Sequence, residues 1–364
     1  AVVADTLSYN GVNGGQLRYR TSRSSWTSQK VDPNINEFLQ QARPEGGKAI
    51  YQPDFVKHSY SGQWQQGIND ELGMVLAFGA GIVYLIFSNA LPAAYDPFMY
   101  ALLCSGSALA VVGFVDDHGG VPVRVRLLVH ISAASLLVWA TGRLAPVDFG
   151  FGPVDLGVFA YPIAVLGIVW ILNLTNFMDG IDGLAGGQAV LASGLAAGFI
   201  YFSTSNLPAA IPAALLAASA LGFLILNFPP AKIFMGDVGS GTLGLFFGGL
   251  AVWHSAVLGF EWLYVWLLLL GVFVVDATYT LVRRAMRKQN IGQAHRSHAF
   301  QRASRHYGRH LPVTLSSYYI ILFWLAPWAW AVAFCAVPGI LALAAAYLPL
   351  LVIAKFFKAG ELDD

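Results

Sequence analysis

From about residue 70 to its end, this chain repeats apolar blocks that are each long enough to cross a bilayer and almost free of charge. A membrane-spanning helix needs roughly 20 mostly apolar residues. Ten blocks qualify: about 72–92, 97–115, 121–141, 155–174, 187–203, 209–227, 239–256, 263–282, 312–334 and 339–356. Lipid offers the backbone no hydrogen bonds, so such a chain folds as an all-α, polytopic transmembrane helical bundle of about ten spans. Only 11% of its 364 residues are charged, against about 25% in a soluble domain, too few to cover a water-facing surface. Blocks 187–203 and 239–256 are short and rich in glycine, which lets helix backbones approach closely. Spacing alone leaves a re-entrant segment open there.

Residues 1–70 differ in kind. They are polar, rich in Gly, Ser, Gln and Asn, and contain no apolar run long enough to span. The expected organisation is a polar N-terminal segment of unknown role (1–70), a transmembrane domain (71–358) and an acidic C-terminal tail (359–364). The opening run lacks the charged-then-apolar pattern of a cleavable signal. Cys104 and Cys335 sit in apolar stretches and read as small buried hydrophobes.

Ten spans fix which connections share a side. Place the N-terminal segment on one side: the connections around 116–126, 175–186, 228–238 and 283–311 then join it, as does the C-terminal tail. That side holds 20 of the 21 Lys and Arg residues, and the other side holds Arg143 alone. The positive-inside rule makes the rich side cytoplasmic.

The chemistry-bearing residues fall on that same side. Asp116 and Asp117 close the second span; Asn173, Asn176, Asp179 and Asp182 follow the fourth; Asp237 follows the sixth. His295, Arg296, His298 and Arg302 lie in the basic loop after the eighth. Asp179 and Asp182, at i and i+3, share a face if the fourth helix continues that far, while the glycines between them favour a broken helix end lining a cavity. Clustered carboxylates repel one another unless a cation intervenes, and hard oxygen ligands select Mg²⁺, with Mn²⁺ as the alternative. A basic loop opposite them suits phosphate oxygens, so the constellation reads as metal-assisted phosphoryl transfer. His295 and His298 at i and i+3 would present both rings on one side of a short helix, gaining affinity for phosphate on protonation near their usual pKa of about 6.5. His118 and His130 read as structural, and His306 and His310 fit no motif.

Residues 114–117 (Phe-Val-Asp-Asp), 173–185 (Asn-Leu-Thr-Asn-Phe-Met-Asp-Gly-Ile-Asp-Gly-Leu-Ala), 233–240 (Ile-Phe-Met-Gly-Asp-Val-Gly-Ser) and 295–302 (His-Arg-Ser-His-Ala-Phe-Gln-Arg) resemble, in order, the motifs of the polyprenyl-phosphate N-acetylhexosamine-1-phosphate transferases. The resemblance covers about residues 72–357, and the His-Arg-Ser-His loop is most similar to the branch that starts O-antigen and related glycan synthesis. It implies transfer of a sugar 1-phosphate from a UDP-N-acetylhexosamine to undecaprenyl phosphate at the cytoplasmic face of the bacterial inner membrane, with release of UMP. Carried over by motif, Asp237 would be the Mg²⁺ ligand and Asp116, beside Asp117, would position or deprotonate the lipid phosphate. Asn173, Asn176, Asp179 and Asp182 would serve the metal and nucleotide, and His295, Arg296, His298 and Arg302 the diphosphate or sugar. Direct attack by the lipid phosphate and a two-step aspartyl-phosphate route both stay open. The lipid bilayer is a partner, a homodimer is compatible, and no nucleic acid is expected.

The main alternative from another class is a membrane transporter using intramembrane acids. Its site would lie near the midplane; acids clustered at span ends fit an enzyme at the interface better.

Overall fold

The computed structural model describes three strands within residues 6–30, then residues 64–289 and 295–361, with side chains from Leu72 onward except at 118–119. The chain divides into two units, Ala1–Gln65 and Gln66–Asp364. In the first, β1 (Thr6–Tyr9), β2 (Gln16–Arg20) and β3 (Thr27–Lys30) form an antiparallel sheet in sequence order, with Leu7 opposite Tyr19 and Leu17 opposite Gln29. Of the expected 1–70 segment, the remaining residues up to 63 lie outside the described residues, as do 362–364 of the tail.

The second unit is helical. It opens within α1 (Trp64–Phe87) and continues with α2 (Asp96–Gly119) and α3 (Val123–Thr141). After the short hairpin β4 (Val147–Asp148) and β5 (Pro153–Val154) come α4 (Ala160–Met178), α5 (Leu184–Thr204), α6 (Leu207–Asn227) and α7 (Gly236–Leu258). Next are α8 (Glu261–Leu269), α9 (Gly271–Met286), α10 (Ala299–Tyr307), α11 (Leu311–Ile320), α12 (Ala326–Cys335) and α13 (Gly339–Phe356). A π-helical turn, Ile321–Leu325, joins α11 to α12 as one segment.

Among the described residues eight segments are long and apolar enough to cross a membrane, or nine if α8 and α9 count as one. This is a multi-pass membrane protein. The two glycine-rich blocks are full helices of 21 and 23 residues, α5 and α7. Two of the ten expected spans differ. The apolar part of α1 is only Leu72–Phe87, and the block read as one straight span at 263–282 is bent by 77° between α8 and α9. The bend falls at Leu270, whose backbone (φ −88°, ψ 5°) leaves the helical region. There Gly271 packs so closely that a Cβ would lie 2.9 Å from the Tyr347 ring.

The bundle is organised around α7, 83% of whose apolar window is buried, against 28% for α3 and 22% for α13. Small residues make this possible. A Cβ on Gly244 would lie 2.6 Å from Leu172 Cα in α4, and one on Gly113 of α2 would lie 2.7 Å from Val238 Cα in α7. Backbone therefore touches backbone on two sides of α7, the small-residue packing that stands in for a hydrophobic drive in lipid. The cysteines depart from expectation: both are exposed, on outward faces of α2 and α12. In lipid an apolar outward residue needs no burial, so hydrophobicity alone does not predict the interior.

Candidate active site

The close approach of α2 and α7 sets two helix ends against each other. Asp116 and Asp117 lie in the last turn of α2, where the helix dipole is negative, and Asp237 lies in the first turn of α7, where it is positive. Asp117 Oδ2 accepts the Asp237 backbone N–H at 3.1 Å. Asp116 accepts from Arg126 Nη1 at 2.6 Å and from the Val121 N–H at 2.5 Å. The same guanidinium stands 3.9 Å from Asp237 Oδ2. From the end of α4, Asn176 Nδ2 donates to Asp237 Oδ1 at 3.0 Å and to Ser240 Oγ at 2.9 Å. Asn173, one turn earlier, returns its Nδ2 to Val169 O at 2.7 Å. A cleft runs between these groups, lined by Asp116, Arg126, His130, Asn173, Asn176 and Asp237.

The fourth-span motif ends as a broken helix. Helix α4 stops at Met178, Asp179 is its C-cap, and Gly183 turns the chain at φ +73° into α5. Asp179 and Asp182 therefore do not share a helical face. Instead Asp182 accepts from the Ala231 N–H at 3.1 Å and meets His310 Nδ1 at 3.1 Å. Burial favours its protonated form, but the bonds from His310 and Ala231 outweigh burial and hold the carboxyl below its usual range. The turn is clamped by Thr314 Oγ1, which donates to Asp182 O at 2.7 Å, and by Tyr318 OH, which donates to Gly183 O at 2.5 Å.

The histidine loop reaches the same end of the bundle through α4. The His298 ring is buried, 6.1 Å from that of Phe177 and 4.9 Å from that of His295. Residues 295–297 are not helical and α10 begins only at Ala299, so the rings stack in a loop instead of along a helix. Asp276 of α9 anchors this arrangement. Its carboxylate accepts the Ala299 and Phe300 N–H groups at 2.9 Å each, capping α10, and its Oδ1 stands 3.4 Å from His298 Nδ1. Burial, with the charges of His298 and Arg284, pushes His295 down to about 4, so it stays neutral near pH 7 instead of protonating near 6.5. Arg296 is exposed, and Arg302 Nη2 donates to Glu361 O at 2.9 Å, tying the loop to the segment after α13.

Four separate motifs thus meet at one end of the bundle. Sequence reasoning missed Arg126 and Asp276, assigned His130 to structure and found no place for His310; the His118 side chain lies outside the described residues. A signal was present for three of them. Arg126, His130 and Asp276 are ionisable groups inside apolar blocks, where such residues face the bundle interior and serve function.

The oxygen donors here are of the kind a hard cation takes: the Asp117 carboxylate lies against the backbone of Asp237, and the Asp237 carboxylate accepts from Asn176. Among the described residues no three His, Cys, Asp or Glu side chains form a metal-binding group. A Mg²⁺ ion at Asp237 would therefore need water and substrate phosphate to complete its shell.

The sequence is similar to those of known proteins. Residues 99–255 match glycosyl transferase family 4. The family 4 region holds Asp116, Asp117, Asn173, Asn176, Asp179, Asp182 and Asp237; the histidine loop lies beyond it. Three similar proteins are named as transferases of a phosphorylated N-acetyl sugar, and two of the names include a polyprenyl phosphate. The chain is 35% identical over 211 residues to the probable undecaprenyl-phosphate N-acetylglucosaminyl 1-phosphate transferase of Bacillus subtilis, covering 56% of this chain and 58% of that protein. It is 32% identical to the phospho-N-acetylmuramoyl-pentapeptide-transferase of a Picosynechococcus, over 56% of this chain and 58% of that one. It is 35% identical to the decaprenyl-phosphate N-acetylglucosaminephosphotransferase of Mycobacterium tuberculosis, over 47% and 46%. The matches span less than two thirds of these three relatives.

Proposed function

We propose that the protein transfers an N-acetylhexosamine 1-phosphate from a UDP-sugar to undecaprenyl phosphate and releases UMP, initiating a lipid-linked cell-envelope glycan such as O-antigen. The observation that carries this reading is the meeting of Asp116, Asp117, Asn176 and Asp237 around Arg126 at adjoining helix ends. The charge bias supports a cytoplasmic position for that end; on this reading the protein sits in the bacterial inner membrane, where a water-borne nucleotide sugar and a lipid phosphate can meet.

The reaction balances without a redox partner. A lipid phosphate oxygen, already anionic at neutral pH, attacks the phosphorus that bears the sugar. A new P–O–P bond forms, the phosphoanhydride bond of the donor breaks, and UMP leaves with the bridging oxygen and its electron pair. Asp117 and Asp237 would hold Mg²⁺, which when bound neutralises charge on the diphosphate. Asp116 and Arg126 orient the acceptor, with Arg126 setting a fixed positive charge beside the incoming phosphate. The clamped turn at Asp179–Gly183 with Asn173 faces the nucleotide side, and His295, Arg296 and His298 the diphosphate and sugar. Arg302 serves the loop's position through Glu361.

The test is incubation of purified protein with undecaprenyl phosphate, Mg²⁺ and a panel of UDP-N-acetylhexosamines. UMP should appear with at least one donor, only when the lipid is present, and stop on chelation. UMP release independent of the lipid would oppose the reading.

A further inference from the structure

His130 lines the cleft and carries a buried nitrogen without a hydrogen-bond partner. The residue is 7% exposed, and its Nδ1 has no hydrogen-bond partner among the described residues. His254, equally interior, shows what a histidine serving only the fold looks like. Trp266 Nε1 donates to its Nδ1 at 3.0 Å, and its Nε2 meets Ala209 O at 3.0 Å. A buried polar atom without a partner is rare in native proteins and marks strain, a catalytic role, or a water or ligand that completes it.

Position says which ligand. His130 follows Arg126 by four residues on α3, so both project from one face, and both line the cleft that holds Asp116 and Asp237. The opposite face of α3 carries Leu128 and Ile131, both exposed, so this helix forms the boundary between the cleft and the lipid. A molecule that satisfies Arg126 and His130 together is an anion rich in acceptors. It sits a turn or two inside a membrane-spanning helix, next to the acyl chains. The phosphate of a lipid fits that depth better than the diphosphate of a water-borne nucleotide.

We infer that His130 is a direct contact for the acceptor substrate, donating an imidazole N–H to a phosphate oxygen of a lipid phosphate monoester while Arg126 supplies the charge. The inference rests on the polyprenyl-phosphate reading above and names a residue which that reading does not use.

The test compares His130→Leu and His130→Gln with wild type in detergent. Replacing an unpaired buried polar group by an apolar one of similar size leaves stability unchanged or raised, so His130→Leu should unfold no earlier than wild type without lipid. Its KM for undecaprenyl phosphate should rise by about tenfold or more, the scale of a hydrogen bond to a charged group. Its KM for the UDP-sugar should stay within about twofold, and His130→Gln, which keeps an N–H, should recover most of the loss. A binding readout needs no turnover: undecaprenyl phosphate should stabilise wild type more than undecaprenol does, and His130→Leu should lose that difference. Wild type that shows the difference but releases no UMP would keep the contact and overturn the transferase. The contact itself falls if His130→Leu retains the preference for the phosphate, if both KM values rise equally, if wild type has no preference, or if His130→Leu melts early.

Discussion

At the scale of single residues, the site is a set of acids whose charges are already partly answered. Asp116 is paired with Arg126, Asp237 is bonded by Asn176, and Asp117 takes a backbone N–H from the start of α7. The role assigned to Asp237 predicts that Asp237→Asn, which keeps the volume, lowers turnover by more than the roughly 10–100-fold typical of outer-shell changes at a metal site. The midpoint of thermal unfolding should stay near wild type, and excess Mg²⁺ should rescue only in part. A second prediction concerns pH. His295 is held down to about 4 from an ordinary 6.5 by burial and by the charges of His298 and Arg284. Its contribution to stability is therefore complete above about pH 6.5 and is lost as the pH falls from there towards 4. The depressed carboxyl of Asp182 acts lower, its contribution present above the ordinary value of 3.8 and lost as the pH drops through its folded value. Melting curves between pH 7 and 4.5 should fall less steeply for His295→Gln than for wild type; parallel curves would contradict the assignment. The acids of this site were legible because charge beside an apolar block is conspicuous. Asp276 escaped because it is a lone acid in an apolar run, and Arg126 because, next to Arg124, it reads as one more charge of a basic connection; what identifies them is the partner the fold brings.

Among the elements, the glycines decide which helix ends can meet. The Gly113 contact with Val238 is backbone against backbone, so a methyl group there must push the first turn of α7, which carries Asp237, away from Asp116 and Asp117. Gly113→Ala is expected to lower turnover by at least about tenfold and to cost about 1–3 kcal/mol of stability, the usual scale of overpacking. Gly194 of α5 meets nothing closer than Ala217 Cβ at 3.8 Å. Gly194→Ala should leave turnover unchanged and stability equal or slightly higher, because alanine is the better helix former. Rates and melting points of the two variants check both statements. The spans themselves could be read from the sequence, since each is an apolar run of nearly the right length. The bend at Leu270 could not, because residues 263–282 are as apolar as a straight helix; packing of Gly271 against Tyr347 and Leu325 marks the break. The orientation of α10 was equally hidden, since it depends on a carboxylate 22 residues upstream of His298.

For the whole molecule, the geometry bears on the topology drawn from charge. Asn176 bonds Asp237, Arg126 stands between Asp116 and Asp237, Asp182 meets His310, and His298 packs near Phe177. These groups come from connections that an odd error in the span count would have split between the two faces. Cysteine labelling should therefore place residues 230 and 290 on the cytoplasmic side and residues 148 and 205 outside; labelling 230 and 290 from opposite sides would break the single site. What charge bias could not supply is the chemistry of transfer, which depends on distances across the cleft. The central claim is that the sugar travels with its phosphate. A UDP-N-acetylhexosamine labelled on the phosphate attached to the sugar, given to the purified protein with undecaprenyl phosphate and Mg²⁺, follows that phosphorus directly. The account predicts label in a lipid diphosphate and unlabelled UMP in solution, in equal amounts. Label remaining on released UDP, with only the sugar passed to the lipid, would contradict it.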